Sequence, residues 1–167
     1  MDRQDYARLP IFAGLDGNQI SQLSPFLFEC VLEKDIIIFE QGQPAEHLYI
    51  LLSGEVAVCY KPYDGPPLTV ARIEPGGVFG WSAALGRDVY TSGAVALQDS
   101  IAYRLHGGSL PVICACYPET GKIWLERLAG VIAERLRNTH TQVLEILSQG
   151  KGAENSCLKK EDKNDRK

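Results

Sequence analysis

Between Phe26 and Leu105 the sequence runs as short β-rich segments separated by turn residues, and this pattern limits the fold more than any other feature. Each segment is rich in β-branched and apolar residues and is bounded by Gly, Pro, Asp or Ser, which are typical of turns. Many short strands at close spacing favour a barrel, sandwich or roll over a sheet built from βαβ units. The predicted strands cover residues 28–32, 36–39, 48–52, 56–60, 68–73, 92–97 and 101–105.

Helical segments precede this β-rich region. Asp16 is placed to cap a short helix, because Gln19 follows three residues later and apolar residues then recur at helical spacing. The apolar residues before Asp16 predict a further helical turn, which should end near Pro10.

After the last predicted strand the apolar residues follow a helical period. Ser109 is predicted to cap a short helix, which Pro118 would end. A long helix is predicted over residues 118–149, because no later Pro interrupts it and its apolar residues are spaced by threes, fours and a seven. The residues of this apolar stripe are Leu125, Leu128, Ile132, Leu136, Val143 and Leu147.

The long helix bears on assembly. At 1.5 Å per residue it would be about 45 Å long, and an apolar stripe of that length must be covered. The β-rich region can cover part of it, and a second copy of the helix is the natural cover for the rest. We therefore expect a homodimer through the 118–149 helix; packing entirely within one chain is the alternative. A protein partner on the same helix also stays open.

The chain divides into three predicted segments. Residues 1–117 form the β-rich domain with its N-terminal helices, and residues 118–149 form the long helix. Residues 150–167 are polar and lysine-rich with almost no apolar side chains, so we expect a disordered tail.

Charge and hydropathy exclude several functions. Residues 1–150 hold 11 Lys and Arg against 17 Asp and Glu, whereas direct binding to DNA normally needs a basic face. No apolar run approaches the roughly 20 residues that span a bilayer, and the N-terminus lacks the apolar stretch of a signal peptide. We therefore expect no direct DNA binding, no membrane insertion and a cytoplasmic location.

The sequence contains no visible catalytic or metal-binding constellation. The five cysteines are odd in number and scattered, which argues against a disulfide framework. The three histidines are far apart, and no motif for a nucleophile or a phosphate-binding loop is present. We therefore expect neither an enzyme nor a metal site.

Two stretches carry a family resemblance. Residues 35–56 read as strand, glycine turn, strand and glycine turn, with Gly42 and Gly54 at positions that need positive φ. Residues 76–85, followed by residues 90–95, begin with a glycine turn that would open a short helix packed on the next strand. Together they resemble the cyclic-nucleotide-binding domain of the catabolite activator and fumarate–nitrate regulator superfamily.

The resemblance implies a fold and a site. The fold is mainly β with flanking helices: a double-stranded β-helix (jelly-roll) β-roll followed by a long C-terminal dimerisation helix. By position the second stretch is the family's phosphate-binding cassette, where backbone N–H groups at a helix start favour an anion. The ligand-binding residues that it implies are Phe79, Gly80, Trp81, Ser82, Ala83, Thr91 and Ser92, together with Thr139 on the long helix.

The cassette departs from the family at its two ionic positions. The resemblance implies a glutamate directly after Gly80 and an arginine ten residues later, whereas this chain has Trp81 and Thr91. Losing an arginine–phosphate pair costs a few kcal/mol, which moves nanomolar-to-micromolar affinity toward millimolar. We therefore expect weak binding of cAMP or cGMP. Arg87 offers a replacement charge or is only a solvated loop residue.

Two functions follow, and both stay open at this point. In the first, the β-roll senses a cyclic nucleotide or another small ligand and signals through the long helix; Trp81 and Tyr90 could then line an aromatic pocket or simply pack. In the second, the chain is a ligand-free dimeric scaffold or protein-interaction module. The helix-turn-helix that follows the long helix in transcription factors of the superfamily is absent from these 167 residues, which supports the expectation of no direct DNA binding.

Overall fold

The computed structural model describes residues 9–137, which form two antiparallel β-sheets with helices before and after them. The helices are α1 (Gly17–Leu23), α2 (Ser109–Cys116) and α3 (residues 118–137), and 3-10 turns cover Pro10–Phe12 and Ser24–Phe26. The strands are β1 (Phe28–Leu32), β2 (Ile37–Phe39), β3 (His47–Ser53), β4 (Val56–Tyr60), β5 (Leu68–Ile73), β6 (Val78–Phe79), β7 (Gly93–Ala96) and β8 (Ser100–His106).

Consecutive strands lie in different sheets, except for β4 and β5, which pair within one sheet. One sheet has the order β1-β8-β3-β6 and the other the order β2-β7-β4-β5, and every pairing is antiparallel. This arrangement confirms the predicted jelly-roll. Three of the seven predicted strands, over 28–32, 56–60 and 68–73, have the predicted bounds, and the other four match within one residue at each end. The two-residue strand β6 is the one strand that sequence reasoning missed.

Strand β3 carries buried side chains on both faces of its sheet. Leu48 and Ile50 lie in a helix-side cluster, whereas Tyr49 and Leu51 lie in an inter-sheet cluster. Side chains on a strand alternate between its two faces, so helices cover one face of this sheet and the second sheet covers the other. The helix-side cluster comprises Ile11, Phe12, Leu23, Leu27, Leu48, Ile50, Val78, Tyr103, Leu105, Leu110, Ile113, Trp124 and Leu128. The inter-sheet cluster comprises Leu32, Phe39, Tyr49, Leu51, Val56, Val58, Ile73, Phe79, Tyr90, Ala94, Ala96 and Ala102.

The helix ends follow from local hydrogen bonding. The side chain of Asp16 accepts from the N–H of Gln19 at 2.8 Å, and the Gln19 side chain accepts from the N–H of Asp16 at 3.0 Å, which confirms the predicted cap. A 3-10 turn begins at Pro10, because proline suits the first helical position. The predicted turn that ends near Pro10 lies mostly outside the described residues and stays a prediction. One other prediction was wrong. Helix α2 is capped by Gly108 without a side-chain bond, and Ser109 is its first residue.

The first part of α3 belongs to the core. Trp124 is fully buried and Leu128 is 4% exposed, both within the helix-side cluster, and the Trp124 ring stacks 6.5 Å from that of Phe12. Leu125, by contrast, is 39% exposed. One compact unit runs from Met1 to Ile132. In the second unit, Ala133–Lys167, residues 133–137 are helical and Leu136 is 58% exposed.

The structure describes only the first part of the predicted C-terminal region. The helix is present through residue 137, while Thr139, Val143, Leu147 and the predicted tail over 150–167 lie outside the described residues. Within residues 9–137 no helix has both the length and the apolar character that crossing a membrane requires.

Candidate functional site

The cassette begins at a turn that only glycine fits. Gly80 has φ +72°, and a Cβ atom there would lie 2.8 Å from the backbone oxygen of His47. The same Cβ atom would lie 3.1 Å from the ring of Tyr49. Left-handed backbone and a close approach of two chain segments both exclude a side chain at this position.

The segment after Gly80 is a series of turns instead of the predicted short helix. The N–H of Ala83 donates to the oxygen of Gly80, that of Leu85 to Trp81, and that of Arg87 to Ser82. These bonds span three, four and five residues, so no α-helical ladder is established. Glycines at positive φ, Gly80 and Gly86, bound the segment and prevent its extension at either end.

Ser82 and Thr91 meet across this turn. Their side-chain oxygens are 3.5 Å apart, and the Ser82 hydroxyl also accepts from the backbone N–H of Thr91 at 3.4 Å. Ser82 is buried, with 3% of its surface exposed, whereas Thr91 is exposed. Two neutral hydroxyls therefore close the cassette at the position where the family resemblance implies an arginine.

The rings of Trp81 and Tyr90 do not line a common pocket. Trp81 packs against the helix-side cluster, and Tyr90 belongs to the inter-sheet cluster. The two rings therefore lie against opposite faces of the β3 sheet, which leaves the proposed aromatic lining of Trp81 with Tyr90 without support. Trp81 instead joins the cassette turn to the layer of helices.

Tyr90 fixes the far end of the cassette to β3. Its hydroxyl donates to the oxygen of His47 at 2.8 Å and accepts from the N–H of His47 at 3.0 Å. Its ring stacks on Phe39 with centroids 3.8 Å apart. Burial raises the pKa of the Tyr90 hydroxyl and raises the pKa of the neighbouring Tyr49 to about 12, so both remain neutral donors at physiological pH. Sequence reasoning missed this anchor because its two partners lie 43 residues apart.

The other predicted site residues fall into two groups. Phe79 is fully buried, and its ring stacks 5.0 Å from that of Tyr49, so its side chain belongs to the core. Ala83 is 6% exposed, and Ser92 is half-buried in the short link before β7. No residue in this set has been shown to touch a ligand, and the whole set, with Thr139, stays a prediction.

The family model described as the cyclic nucleotide-binding domain matches residues 29–115, just over half of the chain. The chain belongs to the cyclic nucleotide-binding domain family.

Relatives of this cyclic nucleotide-binding domain include regulators. It is 27% identical over 141 residues to the "CRP-like cAMP-activated global transcriptional regulator" of Mycobacterium tuberculosis, covering 84% of this chain and 61% of the regulator. The chain thus spans about six-tenths of the length of the curated regulator it matches. It is also similar to the N-terminal domain of a transcriptional regulator from Streptomyces coelicolor A3(2), at 27% identity and a TM-score of 0.65, covering 81% of this chain and 94% of that chain.

A further solved structure agrees on the fold. A cyclic nucleotide-binding domain from Methylobacillus flagellatus KT superposes with a TM-score of 0.76 over 85% of this chain and 80% of that chain. Its sequence is 20% identical, so this match supports the fold alone.

A histidine pair lies beneath the cassette of this cyclic nucleotide-binding domain. His47 and His106 are cross-strand partners on β3 and β8, with ring centroids 5.5 Å apart. Burial, followed by the charges of Arg104 and His106, lowers the pKa of His47, while Glu46, at 3.9 Å from His47 Nδ1, opposes the shift. His47 is therefore neutral in the folded domain at neutral pH.

The described part of the domain contains no cluster of metal-ligating side chains. Among residues 9–137, no group of three or more His, Cys, Asp or Glu side chains is placed to hold a metal ion. Cys30, Cys59, Cys114 and Cys116 are free thiols, and burial raises the pKa of Cys30. The fifth cysteine, Cys157, lies outside the described residues.

Proposed function

We propose that this chain is a non-catalytic regulatory module of the cyclic nucleotide-binding family whose cassette senses a small molecule without the family's ionic anchors. The Ser82–Thr91 hydroxyl pair carries this proposal, because it closes the cassette with neutral groups. The module would report the state of its β-roll through α3 to a second copy or to a protein partner. A cytoplasmic location and the absence of direct DNA binding are parts of the same proposal.

The charges of the cassette support weak binding of cAMP and cGMP. Between residues 76 and 95 the charged side chains are those of Arg87 and Asp88, and both residues are exposed. A cyclic phosphate in the turn would therefore meet hydroxyl and amide donors in place of a bidentate guanidinium. A charge-assisted pair is worth a few kcal/mol more than a neutral bond, which is a factor of hundreds in affinity.

The cassette still offers polar groups to a small molecule. The backbone N–H groups of Ser82 and Ala84 donate to no acceptor within residues 9–137, and Thr91 is an exposed residue. Neutral donors and acceptors of this kind suit a ligand with little charge. We propose such a molecule, or a cyclic nucleotide held weakly, as the occupant.

The route from cassette to helix is supported by shared packing. Trp81 and Ala84 of the cassette turn pack against the helix-side cluster, to which Trp124 and Leu128 of α3 also belong. A ligand that moves the turn must repack this cluster, so differential affinity would shift the position of α3. The exposed Leu136 of α3 is proposed as part of the surface that a second copy covers.

A ligand-free scaffold is the second candidate, and one observation favours it. The interior of the roll beside Gly80 is filled by the stacked rings of Phe39, Tyr49, Phe79 and Tyr90, so ordinary core packing occupies that side of the turn. In this case the fold serves only to present α3 to a partner.

Thermal melting with a ligand panel tests the proposal. We expect at least one compound among cyclic mononucleotides, cyclic dinucleotides and uncharged nucleosides to raise the melting temperature at millimolar concentration. The effect should disappear in a Ser82→Ala/Thr91→Val double variant, which keeps the size of both side chains nearly unchanged. A matched Ser21→Ala/Thr69→Val variant, outside the cassette, should keep it. No shift with any compound would favour the scaffold.

A further inference from the structure

We infer that a groove on the outer side of the cassette turn is a second binding site, and that it takes a zwitterionic amino acid with an apolar side chain. The groove has a volume of about 580 Å³ and is open to solvent. It lies between the end of the cassette turn, the loop after β8 and helices α2 and α3. Its volume falls within the range of sites that hold small molecules. The inference goes beyond the proposed function, because Thr91 and Ser92 take no part in it.

Two opposite charges line this groove without pairing. Glu46 and Arg87 both contribute to its wall. The segments that carry them are joined by the N–H of Ala45, which donates to the oxygen of Asp88 at 2.9 Å, and by the bridge between Pro44 and Val89. Each charged residue is the immediate neighbour of a residue in that hydrogen bond.

Although both residues line the same groove, they do not form a salt bridge with each other. Within residues 9–137, Arg87 has no ion-pair partner, and the nearest partner of the Glu46 carboxylate is His47 Nδ1 at 3.9 Å. A molecule with both an ammonium and a carboxylate group satisfies both: its ammonium binds Glu46, and its carboxylate binds Arg87. A simple anion or cation would leave one of the two charges unmatched.

His106 adds a hydrogen-bond donor to the groove. Its Nδ1 accepts from the N–H of Gly108 at 3.1 Å, so the neutral ring carries its proton on Nε2. His106 also lines the groove, and an Nε2–H donor suits a carboxylate oxygen.

The rest of the wall is apolar. Ala83 and Ala84 from the cassette turn face Leu110 and Pro111 of α2 and Leu125 of α3. Leu125 is 39% exposed, so an apolar side chain laid against it would remove hydrocarbon surface from water. An aliphatic or aromatic amino acid supplies that side chain together with the two charges.

Occupation of the groove would act on the cassette. Gly107, on the groove wall, lies so close to Ala83 that a Cβ atom there would collide with the Ala83 carbonyl group. The cassette turn, the loop before α2 and α3 therefore share one wall. A ligand that binds better to one arrangement of these three elements favours that arrangement.

Calorimetric titration with L-leucine and L-phenylalanine tests the inference. We expect saturable binding to the wild-type chain that weakens at least about tenfold in Arg87→Gln and in Glu46→Gln, since each variant removes one charge-assisted contact. Arg72→Gln, which removes an exposed arginine from the other sheet, should bind like wild type. The Ser82→Ala/Thr91→Val variant should also retain binding, which separates this site from the cassette. Failure of both amino acids to bind, or wild-type affinity in both charge variants, would overturn the inference.

The zwitterion is tested by two analogues of leucine. 4-Methylpentanoate lacks the amine and 3-methylbutylamine lacks the carboxylate, so each should bind at least about tenfold more weakly than leucine. Equal affinity of leucine and either analogue would contradict the two-charge arrangement.

Thiol modification gives an independent reading that needs no charge variant. Cys114 lines the groove, whereas Cys116 is exposed outside it. Bound leucine should slow alkylation of Cys114, read by fragment mass spectrometry, and leave Cys116 unaffected. Equal rates at Cys114 with and without saturating leucine would count against the site.

Discussion

The hydroxyl of Tyr90 bonds to both backbone groups of His47, donating to the carbonyl at 2.8 Å and accepting from the N–H at 3.0 Å. Strand β6 pairs with β3 only at Tyr49 and Ile50. The Tyr90 hydroxyl therefore supplies the hydrogen bonds to His47 that β6 is too short to make. One side chain thus completes the edge of the β3 sheet and holds the cassette to it.

Replacing Tyr90 by Phe tests this anchor. The ring can still stack on Phe39, but the two backbone groups of His47 lose their partner. Unpaired buried polar groups cost about 1–3 kcal/mol, so we expect the free energy of unfolding in urea to fall by about 2 kcal/mol. Tyr63 is fully exposed, and Tyr63→Phe should change the free energy of unfolding by less than about 0.5 kcal/mol. An equal effect of both variants would refute the anchor.

Gly42 and Gly54 offer a matched comparison, since both have φ +88°. A Cβ atom at Gly42 would meet nothing within 4 Å, whereas one at Gly54 would collide with the side chain of Ser100. We expect Gly42→Ala to cost about 1 kcal/mol for the left-handed backbone alone, and Gly54→Ala about 3 kcal/mol because of the added collision. Urea denaturation measures the loss of unfolding free energy in each variant. Equal losses would show that the side chain of Ser100 moves aside without an energetic penalty.

The lowered pKa of His47 predicts a loss of stability in acid. Because the folded domain holds His47 in its neutral form, the unfolded chain binds that proton first as the pH falls. The contribution of His47 is therefore complete above its unfolded pKa of about 6.5 and is lost as the pH falls from there toward the lower folded pKa. Burial is the main cause of the lowered pKa, the charges of Arg104 and His106 add to it, and Glu46 opposes it.

Chemical denaturation at two pH values measures this effect. Between about pH 7.5 and pH 5 the wild type should lose more free energy of unfolding than His47→Gln, which has no imidazole to protonate. Parallel pH profiles for the two proteins would show that His47 is not the source.

The proposed dimer surface predicts a change of mass. Leu136 is 58% exposed, so Leu136→Glu should leave the fold intact and yield monomers in light scattering if a second copy covers it. Leu85 is 60% exposed in the cassette turn, and Leu85→Glu is the control that adds the same charge elsewhere. An unchanged mass for Leu136→Glu would exclude this face as the dimer contact.

Leu128 is unsuitable for the same test. It belongs to the predicted stripe, yet it is 4% exposed within the helix-side cluster. Leu128→Glu would place a charge in the core and should unfold the domain, whatever the assembly state.

Much of the fold follows from local sequence. The strands over 28–32 and 56–60 have alternating or β-branched residues between clear turns, and the Asp16 cap has its partner three residues away. Strand β6 was missed because two residues are too few to show a period. The cassette was predicted as helical, but Gly86 has positive φ and stops any ladder after one turn.

The site was less predictable because its geometry is non-local. Spacing places Trp81 and Tyr90 in one short segment, but it cannot tell which face of a sheet each ring reaches. The apolar stripe on α3 predicted Leu128 as a contact and omitted Trp124, the largest fully buried side chain. Glu46 and Arg87 lie in separate stretches of the sequence, which are joined by the hydrogen bond from Ala45 to Asp88 and by the bridge between Pro44 and Val89.

We propose that Trp81 and Thr91 stand as neutral residues where the family holds its two ionic groups, and calorimetric titration with cAMP measures the effect of that change on affinity. We predict no saturable binding at micromolar concentrations to the wild-type chain, and a gain of about a hundredfold or more in Trp81→Glu/Thr91→Arg. A Trp81→Gln/Thr91→Gln variant, with similar size and no charge, should show no gain. Tight, stoichiometric binding of cAMP to the wild-type chain would contradict the account.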